Sequence, residues 1–76
     1  MEPLLEFLAR SLVDHPEQVR VTRSQRDGVV VLELDVAADD VGKVIGRQGR
    51  VIRALRTVLR ASGARSGERV LVEIAR

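Results

Sequence analysis

The sequence predicts an α+β fold in the order helix-strand-strand-helix-helix-strand. Its expected form is a three-stranded mixed sheet, order 1-2-3, with three helices on one face. Three observations carry that prediction. Apolar residues recur at helical spacing over residues 2–13 and 49–62 and alternate near residues 18–24, 29–36 and 69–75. Asp27-Gly28, the strongest short-range hairpin signal, separates the first two alternating runs. Two helices separate the second and third strands, a crossover that yields a parallel pair with a right-handed connection.

Each element has a local reason. Pro3 sits where a first-turn proline is tolerated, and Leu4, Leu5, Leu8 and Leu12 follow at helical spacing. Phe7 and Ala9 broaden that apolar face. Asp14-His15-Pro16 ends the helix, because the residue before proline is pushed out of the α region. Val19 and Val21 alternate with Arg20 and Thr22 in the first strand, and Gln25-Arg26-Asp27-Gly28 reads as the turn. In the second strand Val30, Leu32, Leu34 and Val36 form one face, with Val31, Glu33 and Asp35 on a wetter one. Ala37-Ala38-Asp39-Asp40 leads into a short helix over residues 40–45, which either aspartate can cap. Gly46-Arg47-Gln48-Gly49 turns the chain into the long helix. There Val51, Ile52, Ala54, Leu55, Val58, Leu59 and Ala61 fill one half of the wheel. Arg50, Arg53, Arg56, Thr57 and Arg60 fill the other. Gly63 is the expected stop, and residues 62–67 a loop. Val70, Val72 and Ile74 alternate with Leu71 and Glu73 in the last strand.

At 76 residues the chain is expected to form one domain, burying only about 60% of the surface its unfolded form exposes. It has no cysteine, which excludes disulfides, thiolate chemistry and zinc ribbons. No apolar run approaches the roughly 20 residues of a membrane span, and the N-terminus does not read as a signal peptide. The expected location is the cytoplasm. The net charge of +2 hides an asymmetry. Lys43, Arg47, Arg50, Arg53, Arg56, Arg60 and Arg65 run from Val41 to Gly67 with no acid among them, while all 11 acids lie elsewhere. One basic segment on an otherwise acidic body points to a polyanionic partner, and arginine suits bidentate phosphate contacts.

The glycine turn is where that charge is focused. Gly46 and Gly49 permit backbone angles and close approach that a side chain would block. Amide groups at the start of the following helix, with its dipole, suit a phosphate. Alone, such a tetrapeptide is equally an ordinary corner between helices. Arg50 and Arg53 near the helix start are the better contacts. Arg56 and Arg60, roughly two and three turns further on, read as a solvated face. Lys43 is near enough to contribute. With no Trp or Tyr, modules that stack bases on an aromatic platform are disfavoured.

Catalysis has little support. His15 is the only histidine and sits at a helix end, Asp39-Asp40 reads as a cap, and the glycines lack nucleotide-binding spacing. No cofactor or metal is expected, and the chain is not expected to be an enzyme.

Gly42-Lys43-Val44-Ile45-Gly46-Arg47-Gln48-Gly49-Arg50 and Ala54-Leu55-Arg56-Thr57-Val58-Leu59-Arg60-Ala61, in this element order, resemble a KH domain of the type II, prokaryotic arrangement. With Leu12-Val13-Asp14-His15-Pro16 they look like the KhpA family of small bacterial proteins with a single KH domain. The resemblance covers essentially the whole chain. It implies a single-stranded RNA partner, with about four nucleotides clamped along their backbone by the GXXG loop. Lys43, Ile45, Gly46, Arg47, Gln48, Gly49, Arg50 and Arg53 are the expected RNA-binding residues. Bases would lie in an aliphatic groove for which Val41, Val44 and Ile45 are candidates. The resemblance further implies an RNA chaperone or post-transcriptional regulator tied to cell division and cell shape. It would act as a homodimer, or as a heterodimer with a larger multidomain KH protein (Jag-like, KhpB). The competing readings are a protein–protein interaction module with incidental RNA binding and, more weakly, a binder of duplex DNA.

Overall fold

The computed structural model describes residues 1–75. Helix α1 spans Glu2–Leu12, β1 Arg20–Arg26, β2 Val29–Asp35, α2 Val41–Ile45, α3 Arg50–Arg65 and β3 Arg69–Ile74. Short 3-10 turns occupy Pro16–Gln18, Ala38–Asp40 and Arg47–Gly49. Strand β2 is central: β1 pairs with it antiparallel and β3 parallel, in the order β1-β2-β3. The fold is therefore the α+β arrangement the sequence predicts.

The core forms where the sheet meets the helices. Val30, Leu32 and Leu34 of β2, with Val70 and Val72 of β3, pack in one cluster with Leu5, Ala9, Val44, Ile52, Leu55 and Leu59. Leu5, Leu32, Leu34, Leu59 and Val44 are completely enclosed. Burying each such side chain contributes about 1.5–3 kcal/mol before conformational entropy is set against it. On the opposite face of β2, Val31 is also buried, in register between Ser24 and Leu71.

The structure corrects several local expectations. Strand β1 starts and ends two residues later than residues 18–24. Pro16 sets up a 3-10 turn whose carbonyl accepts from Val19 N at 3.2 Å, so pairing begins only at Arg20. At its other end the hairpin is a two-residue loop. Asp27 (φ 52°) and Gly28 (φ 77°) both take left-handed angles, as a type I′ turn requires, and Gln25 and Arg26 stay in the ladder. Phe7 does not join the core: α1 buries Leu5 and Ala9 and leaves Phe7 66% exposed. Neither aspartate caps α2 with its side chain.

Gly63 does not stop α3. It lies buried inside the helix, where a Cβ would collide with the Val70 side chain and sit 2.9 Å from the Glu68 carbonyl. Its missing side chain lets the helix lie against β3. The stop is Gly67, at φ 73°. Glu68 N donates to Gly63 O at 2.8 Å and Gly67 N to Ala64 O at 3.1 Å, the paired bonds of a Schellman cap.

Candidate nucleic-acid interface

Helix α2 has only five residues, and Gly46 ends it. Its amide donates to Gly42 O at 2.8 Å, and the chain then takes φ 78°, ψ 170°, a conformation open essentially to glycine alone. The Val51 side chain occupies the space where a Cβ at Gly46 would lie, and Val51 N is 2.9 Å from that position. Gln48 (φ 57°, ψ 25°) and Gly49 (φ 74°, ψ 18°) are both left-handed. Gly49 N donates to Gly46 O at 3.1 Å and closes the corner. The result is a tight projection whose tip, Arg47-Gln48, is exposed.

Helix α3 starts at this corner with no side-chain cap and no acid in its first turn. The amide groups of a helix start are anion donors, and the helix dipole adds to them. Arg47, Arg50 and Arg53 are exposed around it. None of the three is ion-paired among the described residues, whereas Arg10, Arg23 and Arg26 are all paired with glutamates. The corner thus combines a helix start with guanidinium groups that have no carboxylate partner among the described residues, a combination suited to phosphate oxygens.

Of the residues the sequence singles out, Ile45, Gly46, Arg47, Gln48, Gly49, Arg50 and Arg53 cluster at this corner. Lys43 is exposed too, but its ammonium lies 3.0 Å from Asp14 Oδ2 and 3.7 Å from Asp40 Oδ1. The Asp14 hydrogen bond and charge, with help from Asp40, outweigh partial desolvation and hold Lys43 charged above its usual range. Of the groove candidates, Val44 is wholly buried in the core and cannot meet a base, while Val41 and Ile45 are partly exposed. Arg56 is partly buried, and its Nε donates to Val72 O of β3 at 3.1 Å.

Sequence reasoning took Asp40 for a helix cap and missed its tertiary role. It is 0% exposed, and its two carboxylate oxygens accept from Asp14 N at 3.1 Å and His15 N at 3.0 Å. Burial pushes this carboxyl up. The two backbone N–H groups, then the charges of His15 and Lys43, more than offset that and hold it below its ordinary value. Asp40 therefore ties the segment after α1 to the start of α2, which carries the corner. Its partners lie 25 and 26 residues away, so no local pattern betrays the contact.

A helix, a hairpin, two helices joined by a GXXG corner and a parallel third strand together make a KH-like fold. The family model described as "KhpA/KhpB, KH domain" matches residues 2–74. The chain belongs to that family. It is 49% identical over 74 residues to RNA-binding protein KhpA of Clostridium acetobutylicum, covering 97% of this chain and 99% of the relative. It is 52% identical over 73 residues to RNA-binding protein KhpA of Treponema pallidum, covering 96% and 91%. It is 47% identical over 74 residues to RNA-binding protein KhpA of Aquifex aeolicus, covering 97% and 94%. No solved structure gave a significant match. Among the described residues no helix is long and apolar enough to cross a membrane, and no group of side chains could hold a metal ion.

Proposed function

We propose that this chain binds single-stranded RNA in the cytoplasm and performs no catalysis on it. The observation that carries the proposal is the exposed GXXG corner at an uncapped, arginine-flanked helix start, in a family whose relatives are named RNA-binding proteins. Gly46, Arg47, Gln48 and Gly49 grip the backbone, and Arg50 supplies charge at the start of α3. Arg53 lies one turn further along, Lys43 contributes once released from Asp14, and Ile45 and Val41 offer apolar surface to a base. The chaperone or regulatory role, and the link to cell division and shape, follow from the family resemblance. Crosslinking to cellular RNA would identify the targets.

The test is a double substitution, Arg47→Asp with Gln48→Asp. Aspartate tolerates the left-handed angles at position 48, so the melting curve should not change. Affinity for single-stranded RNA should fall by roughly tenfold or more, since a charge-assisted contact is replaced by repulsion. Unchanged affinity would overturn the proposal. Duplex DNA at the same salt should bind more weakly than single-stranded RNA, and the reverse order would favour the duplex-DNA reading.

One observation favours a second, compatible reading as a pairing module. The apolar half of α3 is wider than the core uses: Ile52, Leu55 and Leu59 are buried, but Ala54 and Val58 face out. With Leu8 and Leu12 of α1 they line an apolar groove, in which Val58 is 43% and Leu12 40% exposed. A homodimer, or a heterodimer with a larger KH protein (KhpB), would cover it, and two corners on one RNA would raise affinity by effective concentration. Val58→Asp should convert a sedimenting dimer to monomer with the fold intact. A parent protein that is monomeric at high concentration would rule out the homodimer.

A further inference from the structure

The arginines of α3 divide by what they already hold. Arg53 Nη1 donates to the Gln48 carbonyl at 2.8 Å, and Arg56 Nε donates to Val72 O. Arg47 and Arg50 make no side-chain hydrogen bond to protein among the described residues. A guanidinium committed to a main-chain carbonyl inside the corner has a different task from one that has no partner.

The bond held by Arg53 falls on the weakest joint of the corner. Gln48 is a non-glycine residue in the left-handed region, which it leaves readily when nothing restrains it. The next residue is Gly49, which accepts positive or negative φ, so the peptide unit between them is free to flip. That unit is restrained at both ends: Gly49 N donates to Gly46 O at 3.1 Å, and its carbonyl, Gln48 O, accepts from Arg53. The guanidinium also lies over Gly49, where a Cβ would be 3.4 Å from Nη1. A flip would break both hydrogen bonds, one of them charge-assisted.

We infer that Arg53 is a positioning residue. Its guanidinium latches the Gln48 carbonyl and holds the Gly46–Gly49 backbone in the shape that receives RNA, and it is not itself a phosphate contact. This rests on the RNA-binding reading above and sharpens it, for Arg53 then acts through the backbone of the corner. Arg47 and Arg50 are left as the guanidinium groups that meet the nucleic acid.

The test variant is Arg53→Met, which keeps the aliphatic stem and loses charge and donors. Arg53 is exposed, so the fold should persist, as its melting curve will report. Two readouts are needed. In the free protein, amide hydrogen exchange at Gly49 should speed up by about tenfold, the loss expected for one hydrogen bond to a charged group. In RNA binding, affinity should fall at every salt concentration by the factor by which the population of the competent corner falls. The slope of log affinity against log salt should hold, whereas a lost phosphate contact reduces it by about 0.7 for a single strand. Arg47→Ala serves as the control and should reduce that slope. Unchanged exchange at Gly49 overturns the latch. A slope reduced by about 0.7 in Arg53→Met overturns it in favour of a direct contact. Faster exchange with unchanged RNA affinity overturns its role in binding. Failure of the RNA-binding reading itself looks different, since Arg47→Ala would then leave affinity and slope untouched while the exchange result at Gly49 stood by itself.

Discussion

Gly46→Ala is expected to remove a large part of the stability of this protein, and RNA binding with it. At φ 78° and ψ 170° a side chain is strained wherever it points, at about 1–3 kcal/mol. The new methyl would also occupy the place of the Val51 side chain, and forcing that apart adds about 1–3 kcal/mol. A chain of 76 residues has a total stability of roughly 4–11 kcal/mol, so the two together consume about half of it. The midpoint of thermal unfolding should drop by at least about 10 °C. Gly49→Ala is the informative partner. Its φ of 74° is also left-handed, but a Cβ there meets nothing nearer than Arg53 Nη1 at 3.4 Å. It should cost only about 1–2 kcal/mol, the penalty of a left-handed residue without a clash. Equal losses in the two variants would show that the Val51 contact is not what makes Gly46 necessary.

Asp40→Ala should be the other severe variant, although Asp40 reaches the proposed RNA path only through its ion pair with Lys43. Removing the carboxylate leaves the amides of Asp14 and His15 without their acceptors at a part-buried site, and the melting midpoint should fall on the order of 10 °C at neutral pH. Asp40→Asn retains one acceptor oxygen and should lie between. The pH dependence has a definite sign. The folded-state pKa of Asp40 is lowered from 3.8, so its contribution is fully present above that value and is lost as pH falls through the lower, folded one. The gap in melting midpoint between the parent and Asp40→Asn should therefore stay constant from neutral pH down to about 4 and narrow below it. A gap that does not change between pH 7 and pH 3 would mean that the ionised carboxylate is not what binds the two amides. Lys43 follows the same logic from the other side. Losing Asp40 removes one of its two carboxylates and leaves Asp14 as its partner.

Much of the fold was legible because its signals are local. The alternation of Val30, Leu32 and Leu34, the Asp27-Gly28 turn and the apolar spacing of α3 each act over a few residues. They survive into the structure with shifts of one to three positions. The corner was legible for the same reason, since glycine spacing and an acid-free arginine run are properties of neighbours in the chain. What misled was competition between two local signals. Gly63 and Gly67 both look like helix stops, and the choice falls to Gly67 because β3 needs the space beside Gly63. Likewise Phe7 belongs to the apolar spacing of α1, but the core is already filled by Leu5 and Ala9.

By itself, then, the sequence determined the order of elements, the mixed sheet, the membership of a KH-like fold and the place of the basic corner. The order of elements and the place of the corner follow from patterns within a turn or a strand's length, the mixed sheet from the two-helix crossover, and the KH assignment from a resemblance over essentially the whole chain. Only the tertiary structure decided which groups are free to act. Val44 is taken by the core, Lys43 by Asp14 and Asp40, Arg56 by the Val72 carbonyl and Arg53 by the Gln48 carbonyl. The physical reason is that a charge or a methyl group acts on whatever lies within a few ångströms. For Asp40 and the amides of Asp14 and His15, that neighbour is 25 and 26 residues away and is brought into reach only by folding.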